Sequence, residues 1–129
     1  MSVDAIGDFL TVIRNGLMVS KRFIEAPYSK LKLEIVKILK DEGFVKDFTI
    51  EENTHKTIKV HLKYVDGESV IHELTRVSRP GRRTYGKSNN LRNVIGKLGI
   101  SILTTNKGIM TDKRAKEMLV GGEIICSVW

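Results

Sequence analysis

The sequence predicts an α+β protein made of two small packed domains, and three observations carry that expectation. The first half holds two segments whose apolar residues recur at three- and four-residue steps. It also holds a run of strict alternation, Ile58, Val60, Leu62 and Tyr64 against Thr57, Lys59, His61 and Lys63. The second half is mostly short apolar runs separated by glycine, proline and polar residues. A length of 129 residues suits one domain, or two small ones sharing a compact body. The expected division is 1–65, read as α-β-α-β-β, and 66–129, mostly β with two short helices.

The elements follow in order. Ile6, Phe9, Leu10, Ile13 and Leu17 form one face of a helix over 4–18. Asp4 suits its N-cap, and Asp8 suits the positive end of its dipole. Arg14 and Asn15 fall near the other face. Residues 23–28 are extended and end near Pro27, which blocks helix. Ser29 caps a second helix, 30–42, with Leu31, Ile35, Ile38 and Leu39 as its buried stripe. Gly43 stops it. Phe44–Glu51 is a strand, residues 52–56 a turn, and the alternating run its partner.

Asp66-Gly67 marks a turn and a domain boundary. Val70–Ser78 is expected as a strand, followed by the basic loop Arg79-Pro80-Gly81-Arg82-Arg83 and a short strand through Thr84-Tyr85-Gly86. Ser88 caps a short helix carrying Leu91, Val94 and Ile95. Leu98–Leu103 is a strand, residues 104–108 a polar loop, and 112–119 a short helix opened by Thr111-Asp112. Gly121-Gly122 ends that helix. Glu123–Trp129 is apolar almost throughout, which places it in the sheet interior.

Charge speaks to partners rather than fold. The net charge is +7, and the pI is about 9.6. Residues 1–65 carry net +2 and residues 66–129 net +5. Between Arg76 and Lys116 stand 11 basic residues and one acid, Asp112. Such a localised basic segment is the footprint of a polyanion partner, most commonly a phosphate backbone. An ordinary basic surface is the competing reading. A membrane surface would call for a basic amphipathic helix or a lipidation signal, and neither is visible. No apolar run reaches the roughly 18 residues of a bilayer span. Met1-Ser2-Val3-Asp4 lacks the pattern of a secretory signal.

Catalytic chemistry finds little support. His55, His61 and His72 share no metal-ligand spacing, and the lone Cys126 reads as a buried thiol in an apolar run. No nucleophile–base set stands out. We therefore expect no enzyme, no metal and no cofactor. Thr104, Thr105 and Asn106 differ. Three short donor–acceptor side chains precede Lys107-Gly108, suited to base edges and ribose hydroxyls, with the lysine meeting phosphate. A plain hairpin turn is the bland alternative. Tyr85, beside Arg82-Arg83, could stack on a base or sit in the core. Gly121-Gly122 could be a helix C-cap or a place for RNA to come close.

Several segments together resemble a known family. They are Gly7-Asp8-Phe9-Leu10, Ile13-Arg14-Asn15-Gly16, Ser29-Lys30-Leu31-Lys32 and Asp41-Glu42-Gly43-Phe44. Further on come Arg76-Val77-Ser78-Arg79-Pro80-Gly81-Arg82, Leu98-Gly99-Ile100, Lys107-Gly108-Ile109-Met110-Thr111-Asp112 and Gly121-Gly122-Glu123. In order and spacing the chain resembles the bacterial-type ribosomal protein eight family of the small subunit. The resemblance implies two packed α/β domains and direct binding to the central domain of 16S rRNA during assembly. It implies RNA contacts at Tyr85, at Thr104, Thr105, Asn106, Lys107 and Gly108, and at Gly121, Gly122 and Glu123. Secondary contacts fall on Ser29, Lys30 and Lys32, with Arg14 and Asn15. The family's Ser-Thr-Ser loop falls on Thr104-Thr105-Asn106: Thr104 keeps a hydroxyl, and Asn106 keeps only a donor and an acceptor. The family's usual tyrosine near the C-terminus is Ser127, which is assigned nothing.

The expected partners are 16S rRNA and neighbouring small-subunit proteins, with no membrane and a monomer when free. The expected place is the ribosome, in a cytoplasm or an organelle. A second reading is a translational repressor that binds its own operon mRNA with the same surface.

Overall fold

The computed structural model describes residues 4–87 and 99–129, so the short helix expected from Ser88 lies outside the described residues. Helices and strands mix in an α+β arrangement, as the sequence predicts. The chain forms two compact units, Asp8–Ile71 and Met1–Gly7 with His72–Trp129.

In the Asp8–Ile71 unit, β1 (Phe23–Pro27), β2 (Val45–Glu52) and β3 (Lys56–Leu62) form an antiparallel sheet of order β1-β3-β2. Of the even members of the alternating run, Ile58, Val60 and Leu62 are buried, whereas Tyr64 lies past the end of β3 and is half-buried. Helix α1 (Ala5–Met18) starts in the other unit, and its Phe9, Leu10 and Ile13 are buried. Helix α2 (Lys30–Asp41) begins at Ser29, whose hydroxyl accepts from the Lys32 amide at 3.2 Å. It ends in a Schellman arrangement: Gly43, at φ +81°, donates to Lys40 and Phe44 donates to Leu39. The buried stripe of α2 is Lys32, Ile35, Val36 and Leu39, so Leu31 and Ile38 are only half-buried. Lys32 buries its stem and sends its ammonium back to the Pro27 carbonyl at 3.0 Å. Asp66 and Gly67, both at positive φ, turn β4 (Tyr64–Val65) into β5 (Glu68–Ser69).

The other unit is a five-stranded antiparallel sheet. Its strands are β6 (Leu74–Arg76), β7 (Tyr85–Gly86), β8 (Ile100–Thr105), β9 (Gly108–Thr111) and β10 (Gly122–Val128). Strand β10 is central. One edge pairs first with β7 and then with β6, and the other pairs with β8. This interior place suits its apolar run. The strand expected over Val70–Ser78 shrinks to Leu74–Arg76, because the His72 and Glu73 amides turn to the Trp129 carbonyl instead. Helix α3 (Asp112–Glu117) is capped by the Thr111 hydroxyl. Its C-cap is Met118, and Leu119 takes the left-handed conformation that follows at φ 56°. The helix therefore ends before Gly121-Gly122, which do not stop it.

Candidate nucleic-acid interface

Strand β10 gathers the C-terminal candidates. Tyr85 lies opposite Glu123, Glu123 opposite Thr104, and Thr104 opposite Ile109. The adjacent rung is Gly86, Gly122, Thr105 and Gly108. Directly opposed residues share a face of a sheet, and successive rungs alternate. Tyr85, Glu123 and Thr104 therefore share one face, while Thr105 points to the other among three glycines. Tyr85 is 69% exposed, which answers the choice between core and surface.

The loop expected over 104–108 is tighter than its sequence suggests. Thr104 and Thr105 belong to β8, and pairing of Thr105 with Gly108 leaves only Asn106-Lys107 as the turn. The Thr105 hydroxyl donates to the Gly108 carbonyl at 2.8 Å and accepts from the Lys107 amide at 3.1 Å. Asn106, Lys107 and Gly108 are exposed, and both threonines are half-buried.

The glycine pair serves packing. A Cβ on Gly122 would press on the Thr104 carbonyl, 2.9 Å from its carbon and 3.1 Å from the Thr105 Cα. A Cβ on Gly121 would meet the Gly86 carbonyl and lie 2.9 Å from the Lys87 Cα. Both glycines let β10 sit close between β7 and β8.

Two carboxylates brace this end of the sheet. Glu123 Oε2 accepts from the buried Ser78 hydroxyl at 2.6 Å and from Arg83 Nη1 at 3.0 Å. The Ser78 hydroxyl accepts in turn from the Thr84 amide at 3.2 Å. The Ser78 hydrogen bond, with help from Arg83, holds the Glu123 carboxyl below the usual range against the opposing effect of burial. Arg76 donates through Nε and Nη2 to both oxygens of Asp4, at 3.3 and 3.2 Å, and through Nη1 to the Ile125 carbonyl at 2.9 Å. Burial pushes the Asp4 carboxyl up, but Arg76 and the Gly7 amide together hold it below its ordinary value. Sequence reasoning missed Ser78, Arg83 and the Asp4–Arg76 pair as parts of the site. Ser78 ahead of the Pro80-Gly81 turn and Arg83 near Tyr85 were the local signals.

The exposed residues of this unit are rich in cations. Arg79, Arg82, Arg83, Lys87, Lys107, Lys113, Arg114 and Lys116 are exposed. The single acid between Arg76 and Lys116, Asp112, is buried, and its Oδ1 accepts from the Ser101 amide at 3.3 Å.

The remaining candidates lie in the Asp8–Ile71 unit. Lys30 and Asn15 are exposed, and Arg14 donates to the Thr11 hydroxyl at 2.9 Å. The Ser29 hydroxyl is used as a cap. Lys32, expected as a secondary RNA contact, is 8% exposed and turned inward. Its position in the Ser29-Lys30-Leu31-Lys32 segment does not reveal this, because it falls on the buried stripe of α2.

Comparison with known proteins shows the family. Residues 4–129 match the family model described as Ribosomal protein S8. The small ribosomal subunit protein uS8 of Pseudomonas fluorescens is 47% identical over 126 residues, covering 98% of this chain and 97% of that protein. Its counterpart in Buchnera aphidicola subsp. Schizaphis graminum is 49% identical over 125 residues, covering 97% and 96%. That of Thermodesulfovibrio yellowstonii is 46% identical over the whole of both chains. With a family model spanning nearly every residue and relatives near one-half identity over their full length, this chain belongs to the ribosomal protein S8 family.

Proposed function

We propose that the chain is a structural, non-catalytic component of the small ribosomal subunit that binds rRNA directly. The observation that carries this is the pair of adjacent rungs on β10. They set Tyr85, Thr104 and Glu123 on one face beside the turn that Thr105 shapes, in a unit whose described residues expose eight lysines and arginines between Arg79 and Lys116. Tyr85 offers a ring for stacking. Thr104 and Asn106 offer groups for base edges and ribose hydroxyls, and Lys107 meets phosphate. Gly121 and Gly122 act by letting the strands close up rather than by touching RNA. Lys30 and Asn15 supply secondary contacts with Arg14, and Ser29 and Lys32 act within the fold.

The resemblance to the family favours the central domain of 16S rRNA as the target, with neighbouring small-subunit proteins as further contacts, and a place in the ribosome. The test is footprinting of the full chain on small-subunit rRNA transcribed in vitro. Saturable protection confined to the central domain is the expected result. Protection elsewhere removes the central-domain assignment. Competition by duplex DNA at equal strength removes specific RNA binding altogether.

A further inference from the structure

We propose that Glu123 is a positioning residue of the interface: its carboxylate fixes the segment 78–84 and so aims Tyr85, without itself contacting RNA. The proposal rests on the RNA-binding reading of this face.

An acid on a face meant for a polyanion needs a reason, because Coulomb repulsion works against it. One reason would be a hydrogen bond accepted from a base amino group. The geometry points elsewhere. Oε2 already accepts two hydrogen bonds, from Ser78 at 2.6 Å and Arg83 at 3.0 Å. Its side chain is only 20% exposed. Ser78 is fully buried and passes the interaction on to the Thr84 amide. The Thr84 carbonyl accepts from the Ile124 amide at 2.9 Å. Thr84 is thus held on both sides by groups that begin at Glu123 and its neighbour.

Tyr85 comes next, and its backbone register is set by pairing with Glu123 itself. Between Ser78 and Thr84 the chain makes a tight reversal, with Arg79 and Arg82 exchanging backbone hydrogen bonds at 3.0 and 2.9 Å. A reversal carrying Arg79, Arg82 and Arg83 repels itself. The Glu123 charge offsets that repulsion at Arg83, the one of the three it reaches.

Glu123→Gln separates the possibilities by sign. It raises the net charge by one, so electrostatics alone predicts tighter RNA binding. A positioning role predicts weaker binding, by about fivefold, the scale of one ordinary hydrogen bond. A direct base contact also predicts weakening, so a double-mutant cycle with Tyr85→Ala is needed. The expected result is that Glu123→Gln weakens binding to transcribed small-subunit rRNA in the wild-type background and has no further effect in Tyr85→Ala. Amide exchange of the free protein should show Thr84 losing protection in Glu123→Gln and in the uncharged second variant Ser78→Ala.

Tighter or unchanged binding by Glu123→Gln overturns the proposal. So does full additivity with Tyr85→Ala, which would make Glu123 a contact in its own right. Unchanged Thr84 protection in both variants overturns the brace itself. If the wild-type chain fails to bind rRNA, the RNA reading falls and the role in binding with it, while the exchange data still decide whether the brace exists.

Discussion

Thr105 donates its hydroxyl hydrogen to the Gly108 carbonyl at 2.8 Å, across the two-residue turn that joins β8 to β9. The same oxygen takes the Lys107 amide at 3.1 Å, so the side chain shapes the turn on which Asn106 and Lys107 stand. Thr105→Ala removes both bonds while keeping the backbone register. We expect a loss of about 1 kcal/mol in urea unfolding and a clear weakening of rRNA binding in a filter assay. Thr105→Ser restores both. Wild-type affinity in the alanine variant would mean that the turn lies outside the interface.

Lys107 is exposed at the tip of that turn. A lysine there meets phosphate as a point charge and releases counterion. Lys107→Ala is expected to lower the slope of log affinity against log salt by about one, with the unfolding midpoint unchanged. A salt titration that gives parallel lines for the two proteins would remove the phosphate contact.

The interior place of β10 was legible because the run from Glu123 to Trp129 is apolar almost throughout. The cap at Ser29 and the stop at Gly43 were legible because both act within one turn of chain. The end of β8 was not. Threonine suits both strand and turn, and only the pairing of Thr105 with Gly108 decides the loop length. Gly121-Gly122 misled because Leu119 takes the left-handed position that glycine usually fills. Lys32 misled because a lysine stem can lie on a buried stripe when its ammonium finds a carbonyl. The Ser78–Glu123 hydrogen bond joins positions 45 apart, beyond the reach of any local pattern.

Gly122 touches the backbone of β8 where a side chain would stand. Gly122→Ala must push the β10 and β8 backbones apart, since the obstacle is a carbonyl rather than a flexible side chain. The expected cost is about 1–3 kcal/mol, the range typical of overpacking. Gly81→Ala is the control, because a Cβ at that position would meet nothing within 4 Å. Urea midpoints check both, with the Gly81 variant expected at the wild-type value. Equal midpoints for the two would show that the strands yield freely at Gly122.

Asp4 and Arg76 meet through two hydrogen bonds, with Arg76 only 10% exposed along its side chain. The folded state holds the carboxyls of Asp4 and Glu123 below their ordinary values. Both groups therefore bind a proton more readily when unfolded, and stability must fall as the medium is acidified. Their contribution is complete above the ordinary carboxylate values, 3.8 for Asp4 and 4.5 for Glu123, and is lost as pH falls through the depressed folded values. Asp4→Asn removes the charge that Arg76 meets, while asparagine still offers an oxygen to the Gly7 amide that Asp4 caps. At neutral pH the variant should be less stable by about 1.5–3 kcal/mol, the range for hydrogen bonds to a charged group. Acidification should shrink that difference, because protonated Asp4 loses the same charge. Urea unfolding at intervals from neutral pH down into the acid range measures it. A gap that stays constant down to the lowest pH would show that the pair contributes through shape and not through charge.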